Sequence, residues 1–304
     1  MVNRVAGLAG MLKYLGRASS GVFFAMFAST CLLGVLPGCV EVPQEREQET
    51  RRSNVTCVVI GMEVSQRFGS CPGCRKDSDR MASLLRERYG YPVKLLQSEA
   101  ATRLAVMSEI RKAVSEVDES GLFILYYSGH GGQEYLNGLN TSEPSGADSK
   151  DEYLCLYDDY LLDDEIWETL SKCRGRVFCI FDACHSETMF RSVVPEFVLR
   201  RGYGSALGRA DEVRSSGGFS LKPRAVALER GGLRMLCWSG CMEKEYSYGG
   251  ITGGVMTNAI LDNWKRGKTY SGLWLGVVKS VQREQPTQHP KSTQYGSGFD
   301  VVFQ

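Results

Sequence analysis

The chain has 304 residues, 43% of them hydrophobic, with 36 Lys and Arg against 35 Asp and Glu, 34 glycines and 9 prolines. That balance excludes collagen-like, low-complexity and wholly disordered chains, and a net charge of +1 gives no support for a nucleic-acid binder. A single core of about 250 residues buries roughly 70–75% of its unfolded surface, so no disulfide scaffold is needed. The count of 11 cysteines is odd and leaves at least one for another role.

Arg4, Lys13 and Arg17 precede an apolar run of 16 residues, Gly21–Leu36, shorter than the ~20 that cross a bilayer comfortably. The run ends in Leu36-Pro37-Gly38-Cys39, which resembles a bacterial lipobox and makes Cys39 the expected lipidation site, although Pro37 is unusual there. An ordinary secretory signal or an uncleaved anchor are the alternatives. Residues 1–38 are therefore expected to be a signal sequence, and the protein to be exported and anchored in the membrane of a bacterial cell envelope. The polar residues 39–53 bury too little to order themselves and read as a tether.

From Asn54 onward strands and helices alternate. Val55–Ile60 is a β-branched strand followed by a turn-rich stretch at Gly69–Gly73, and Lys76–Tyr89 has helical spacing of Met81, Leu84, Leu85 and Tyr89. Pro92–Leu96 is a second strand. Leu104, Met107, Ile110, Val114 and Val117 mark an amphipathic helix. Leu122–Tyr127 (LFILYY) is a continuous apolar strand, as a strand covered on both faces should be. Tyr153–Tyr157 is a shorter strand, Asp163–Cys173 a helix with acidic residues at its positive end, and Arg176–Phe181 (RVFCIF) another central strand. Leu233–Trp238 is a further strand, with helices over Gly254–Lys265 and Tyr270–Arg283. This order predicts an α/β layered fold whose central sheet is mostly parallel, with helices on both faces. The loops 128–152 and 190–232 are longer than a compact domain tolerates without a use for them.

In open α/β sheets ligands bind beyond the carboxyl ends of the strands. Two apolar strands here run into polar motifs at that edge: Ser128-Gly129-His130-Gly131-Gly132, and Asp182-Ala183-Cys184-His185-Ser186. A cysteine attacks as thiolate and needs a base or positive field, which a histidine on the neighbouring strand end can supply. The chain has only three histidines, so one inside a glycine-rich strand end is informative. His185 is expected to face away from Cys184, because successive residues of an extended stretch point to opposite sides. His289 reads as a surface residue.

This pair of motifs resembles the metacaspases, relatives of the caspases with the caspase–haemoglobinase fold. His130 and Cys184 are 54 residues apart, close to the ~50 of caspase-type enzymes. The resemblance spans Val55–Phe303, adding Gly73-Cys74-x-x-Asp77, the run Asp151–Ile166 and Trp238-Ser239-Gly240-Cys241, so that residues 54–304 are expected to form one caspase-like peptidase domain, acting as a monomer. It implies a cysteine endopeptidase in which Cys184 is the nucleophile, His130 the general base and acid, and the amides of Gly131 and Cys184 the oxyanion hole. It further implies a substrate pocket from Cys74, Asp77, Ser128 and Asp182. Two carboxylates there suit Arg or Lys before the scissile bond, because a desolvated guanidinium requires a paired anion. The expected partners are protein or peptide substrates with those residues.

Many metacaspases bind an activating calcium, and Asp151, Asp163 and Asp164 match its carboxylate ligands, whereas Arg191 stands near the usual fourth acid and Glu187 near a usual glycine. Asp163 and Asp164 as simple helix-terminal residues are the alternative. Arg51–Arg52 and the basic loop 190–232 are expected sites of self-cleavage. Two rival functions are a catalytically silent caspase-like scaffold and a thiol–disulfide redox protein using Cys71-Pro72-Gly73-Cys74.

Overall fold

The computed structural model describes residues 54–135, 150–183, 199–200, 232–242 and 245–301. Cys39, Arg51, Arg52, Cys184, His185, Glu187, Arg191 and most of the 190–232 loop lie outside the described residues. In chain order the first elements are β1 (Val55–Gly61), β2 (Val64–Ser65), β3 (Gly69–Ser70), α1 (Cys74–Ser83) extended by a π turn over Leu84–Arg88, β4 (Val93–Gln97) and α2 (Arg103–Glu116). Next come β5 (Leu122–Ser128), β6 (Gly131–Tyr135), β7 (Lys150–Cys155), β8 (Tyr160–Leu162), α3 (Asp163–Leu170) and β9 (Arg176–Asp182). The last are β10 (Leu199–Arg200), β11 (Arg234–Ser239), β12 (Tyr248–Gly250), β13 (Gly253–Gly254), α4 (Val255–Asn263), α5 (Tyr270–Glu284) and β14 (Lys291–Tyr295).

The central sheet has the order β14-β11-β9-β5-β1-β4. All its neighbours run parallel except β14, which pairs antiparallel with β11. The apolar runs of the sequence become its middle strands, where alternation sends successive side chains to opposite faces. On β5, Phe123, Leu125 and Tyr127 join one core with Val106, Met107 and Ile110 of α2 and Trp167 and Leu170 of α3. Ile124 and Tyr126 join the other core with Met81 and Leu85 of the first helix, Met256 and Ile260 of α4, and Leu273 and Val277 of α5. Each fully buried side chain of this kind contributes about 1.5–3 kcal/mol by leaving water. Thr102 caps α2 by accepting the Ala105 amide at 3.2 Å, and Thr269 caps α5 by accepting the Gly272 amide at 3.1 Å.

The expected α/β architecture is therefore present, with helices on both faces of a mostly parallel sheet. Element ends differ by a few residues: the first helix starts at Cys74, two residues before the expected Lys76, and α3 stops at Leu170 instead of Cys173. Strand β7 overlaps the expected strand at Tyr153–Tyr157, but its partners β6 and β8, the β2–β3 hairpin and the sheet β10-β12-β13 were not anticipated. They are too short, and too rich in glycine and polar residues, to carry a two-residue hydrophobic period.

Register brings the carboxyl ends of the strands level. Gly61 of β1 lies opposite Ser128 of β5, Ser128 opposite Asp182 of β9, and Phe181 opposite Ser239 of β11. This edge holds the residues that the sequence singled out.

Candidate active site

His130 follows β5 by two residues and is buried, with 5% of its surface exposed. Its Nε2 lies 3.0 Å from the carbonyl oxygen of Ser70, at the end of β3. A carbonyl only accepts, so Nε2 is the donor, and in the neutral ring Nδ1 carries the lone pair able to take a proton. The His130 backbone is fixed as well. Its carbonyl accepts the Cys155 amide at 3.0 Å and has the Tyr127 hydroxyl at 2.6 Å.

The hairpin carrying Ser70 is anchored to the loop after β7. Ser65 Oγ donates towards the carbonyls of Leu156 and Tyr157, the Gln66 amide donates to Tyr157 at 2.9 Å, and Arg67 pairs with Asp159 at 2.6 Å. Arg67 also stacks over the rings of Phe68 and Tyr160. The contacts with Leu156, Tyr157, Asp159 and Tyr160 have no signature in local sequence, because each joins residues about ninety positions apart.

Asp77 and Asp182 are both fully buried. Asp77 stands in the first turn of the first helix, where the amide ends favour negative charge. It accepts from Ser128 Oγ at 2.9 Å, from the Gly254 amide at 2.9 and 3.1 Å, and from Arg80 Nη2 at 2.9 Å. Asp182 accepts from Ser247 Oγ at 2.7 Å, the Thr257 amide at 3.0 Å and Thr257 Oγ1 at 2.6 Å. Gln288, also fully buried, donates to Gly240 O at 2.7 Å and to Ser247 Oγ at 3.1 Å. Three of the four expected pocket residues thus lie together: Ser128 donates to Asp77 and stands opposite Asp182 in register. The fourth, Cys74, opens the same helix one turn before Asp77, and its sulfur lies 2.6 Å from that of Cys71.

Two glycines make this approach possible. Gly253 has φ +109°, and a Cβ there would sit 2.2 Å from Asp77 Oδ1. Gly73 has φ +87°, and its Cβ would sit 2.0 Å from the Gly250 carbonyl. Only glycine lets the β12–β13 hairpin press its backbone against the first turn of the helix.

Arg80, Ser247, Thr257 and Gln288 were not anticipated. Arg80 had a signal, because residues three apart on a helix share a face. The others reach the site only through tertiary folding. Gly131 begins β6 and is buried, whereas its proposed oxyanion partner Cys184 lies outside the described residues. His289 is half-buried, its Nδ1 2.7 Å from Glu245 Oε1. Asp163 is buried and Asp164 partly so, both in the first turn of α3, which packs beside β7, the strand that carries Asp151. Among the described residues no three His, Cys, Asp or Glu side chains come together as a metal-binding group.

Comparison with known proteins agrees with this architecture. Metacaspase-1 of Schizosaccharomyces pombe is 30% identical over 142 residues, 42% of this chain and 33% of the relative. Metacaspase-3 of Arabidopsis thaliana is 30% identical over 148 residues, 43% of this chain and 40% of the relative. The chain thus spans less than half the length of these two relatives. Metacaspase-1A of Aspergillus oryzae matches more broadly, at 23% identity over 78% of this chain and 66% of the relative. Among solved structures, a protein of Geobacter sulfurreducens superposes with a TM-score of 0.60 at 25% identity, covering 81% of this chain and 94% of that one. Caspase-1 of Spodoptera frugiperda shares the fold, with a TM-score of 0.53 at 12% identity over 80% of this chain and 89% of its own. The caspase domain model of peptidase family C14 matches residues 54–297, and the chain belongs to that family.

Proposed function

We propose that the protein is a cysteine endopeptidase that cleaves after Arg or Lys, with Cys184 as nucleophile and His130 as general base and acid. The observation that carries the reading is the pair of fully buried carboxylates, Asp77 and Asp182, the first bonded to Ser128 Oγ and the second opposite Ser128 in register, two residues before His130. His130 and Cys184 each lie two residues beyond the register pair Ser128–Asp182, on adjacent strands. A described strand end thus leads directly into each member of the dyad.

In this reading the Cys184 thiolate attacks the scissile carbonyl, and the amides of Gly131 and Cys184 receive the developing negative charge. His130 takes the thiol proton on Nδ1 and returns it to the leaving amine, while the Ser70 carbonyl steadies the ring by accepting from Nε2. Water then releases the acyl group from sulfur. Asp77, Asp182, Ser128 and Cys74 receive the cationic side chain. Asp77 and Asp182 together with Arg80 sum to one negative charge, which a single substrate cation neutralises.

Self-cleavage in the basic 190–232 loop accompanies this specificity. Its Leu199–Arg200 strand pairs with β12, in the hairpin whose Gly254 amide holds Asp77. Calcium dependence is a separate proposal, with Asp163 and Asp164 joined by Asp151 from the adjacent strand as carboxylate ligands; the ion would draw those segments together. Membrane attachment through lipidated Cys39 is likewise proposed from its lipobox-like context.

The test is a fluorogenic peptide assay on the full chain beside Cys184→Ala and His130→Ala. Arg and Lys peptides should be cleaved, Asp peptides should not, and both variants should be inactive. Better cleavage after Asp would overturn the pocket assignment, and activity in Cys184→Ala would overturn the nucleophile. Addition of calcium and of a chelator tests the metal: unchanged rates in both would remove it. Incubation without substrate should fragment the active chain and spare Cys184→Ala.

A further inference from the structure

The first helix is joined to the β2–β3 hairpin by a four-residue turn, Cys71-Pro72-Gly73-Cys74, whose two cysteines the peptidase reading leaves without a shared role. Cys71 follows Ser70, the residue whose carbonyl meets His130, and Cys74 opens the helix that carries Asp77. The turn is closed by the Cys74 amide donating to the Cys71 carbonyl at 3.2 Å, and Cys71 is tied back to the hairpin by its amide donating to Glu63 O at 2.8 Å. Gly73, left-handed and pressed against Gly250, leaves the turn no room to take another path. Both sulfurs are buried and adjacent.

We propose that Cys71 and Cys74 form a disulfide, and that this bond holds the Ser70 carbonyl against the His130 ring. The adjacent sulfurs already face each other, so the bond closes without moving Ser70. As two thiols they leave the turn and the hairpin end held by hydrogen bonds, without a covalent closure. The geometry also orders the reaction. Cys71 is the outer sulfur, next to the exposed Gly69 and Ser70, and Cys74 is the inner one. With a low-molecular-weight disulfide as oxidant, the Cys71 thiolate attacks one oxidant sulfur and expels the other as a thiol, leaving a mixed disulfide. The Cys74 thiolate then attacks the Cys71 sulfur and expels the second oxidant thiol. In sum, two protein thiols lose two protons and two electrons, and the oxidant disulfide is reduced to two thiols.

Formation of the bond is measured apart from cleavage, although it engages Cys74 of the proposed pocket, whereas its link to His130 rests on the peptidase reading above. The first measurement uses full-length Cys184→Ala, folded, treated with oxidised glutathione and then alkylated. The tryptic peptide Phe68–Arg75 contains both cysteines. It should be recovered lighter by two hydrogen atoms and unalkylated, and the Cys71→Ser counterpart should retain no such bond. Recovery with both thiols alkylated, or with glutathione on Cys71 alone, overturns the proposal. The second measurement follows iodoacetamide labelling of Cys184 in the otherwise native chain by mass, across a pH series, with the pair oxidised and reduced. The oxidised form should label faster near neutral pH, by up to about a hundredfold, the scale that a 1 Å displacement of a catalytic group can cost, and Cys71→Ser should behave as the reduced form. Identical pH profiles overturn the link to His130. A folded, inert chain that still forms the bond and shows the Cys184 difference would instead count against peptide cleavage alone.

Discussion

The middles and the carboxyl ends of strands β5 and β9 are equally buried and chemically opposite. Phe123, Ile124, Leu125, Val177, Phe178 and Ile180 meet other side chains, and dispersion and water exclusion suffice to hold them. Ser128 and Asp182, on the same two strands, are no more exposed, yet each is held by hydrogen bonds from loops and helices remote in sequence. Burying a polar group is costly unless it is bonded, and a charge more so. The comparison teaches that the polar edge is an arrangement built by many segments, whereas the strand middles require only apolar residues of suitable volume.

The sharpest way to break the comparison is Asp182→Ala. It leaves the hydroxyls of Ser247 and Thr257 and the Thr257 amide without their buried acceptor, at a cost of roughly 3 kcal/mol or more. Cleavage after Arg should disappear, and urea unfolding should show the loss of stability. A variant that folds less stably but keeps full cleavage after Arg would remove Asp182 from the pocket.

A second effect concerns buried thiols and phenols. Burial pushes the thiols of Cys57 and Cys179 and the phenols of Tyr91 and Tyr270 well up, and that of Tyr295 to about 12. The folded chain therefore keeps these protons while the unfolded chain gives them up, from about pH 8.5 for Cys and about pH 10 for Tyr. Stability from these groups is full below those values and falls as pH rises through them, by about 1.4 kcal/mol per pH unit for each group. Urea midpoints at about pH 8 and about pH 10.5 should differ accordingly. A flat profile would mean that the interior admits charge.

Gly253→Ala perturbs the edge without removing any of its polar groups. The left-handed backbone and the contact with Asp77 both oppose a methyl group there. The expected loss of stability is about 1–3 kcal/mol, with a rise in KM for Arg peptides exceeding the fall in kcat. An unchanged KM would show that Asp77 does not meet the substrate.

Legibility followed the same division. The strand middles were readable because their apolar runs are continuous, and the amphipathic helices because three- and four-residue spacing survives in any context. Strand β14 was not, since Lys291–Tyr295 is a polar edge strand whose partner among the described residues, β11, lies more than fifty residues upstream. At the site, Ser128, His130 and Asp182 stood out as polar residues ending apolar strands, and Asp77 through the family resemblance. The Ser70 carbonyl did not, because a backbone oxygen has no residue type. Ser247, Thr257 and Gln288 are ordinary polar residues until folding brings them to Asp182, and no local pattern distinguishes them from solvated ones.

The smallest expected effect lies within the strand, and it is the control that gives the others meaning. Ile180 is two residues before Asp182 on β9, fully buried, and packs in the core beneath α4 and α5. Ile180→Val removes one methylene and leaves no donor or acceptor without a partner, so it should cost about 0.5–1.5 kcal/mol through lost contacts and a small cavity. Peptide cleavage should keep its kcat and KM, because the backbone of β9 and the donors to Asp182 stay in place. If this substitution instead lowered cleavage as far as Asp182→Ala, the polar end would be reporting strand packing rather than substrate charge. A loss of stability without a loss of cleavage would assign the two properties to the two parts of one strand.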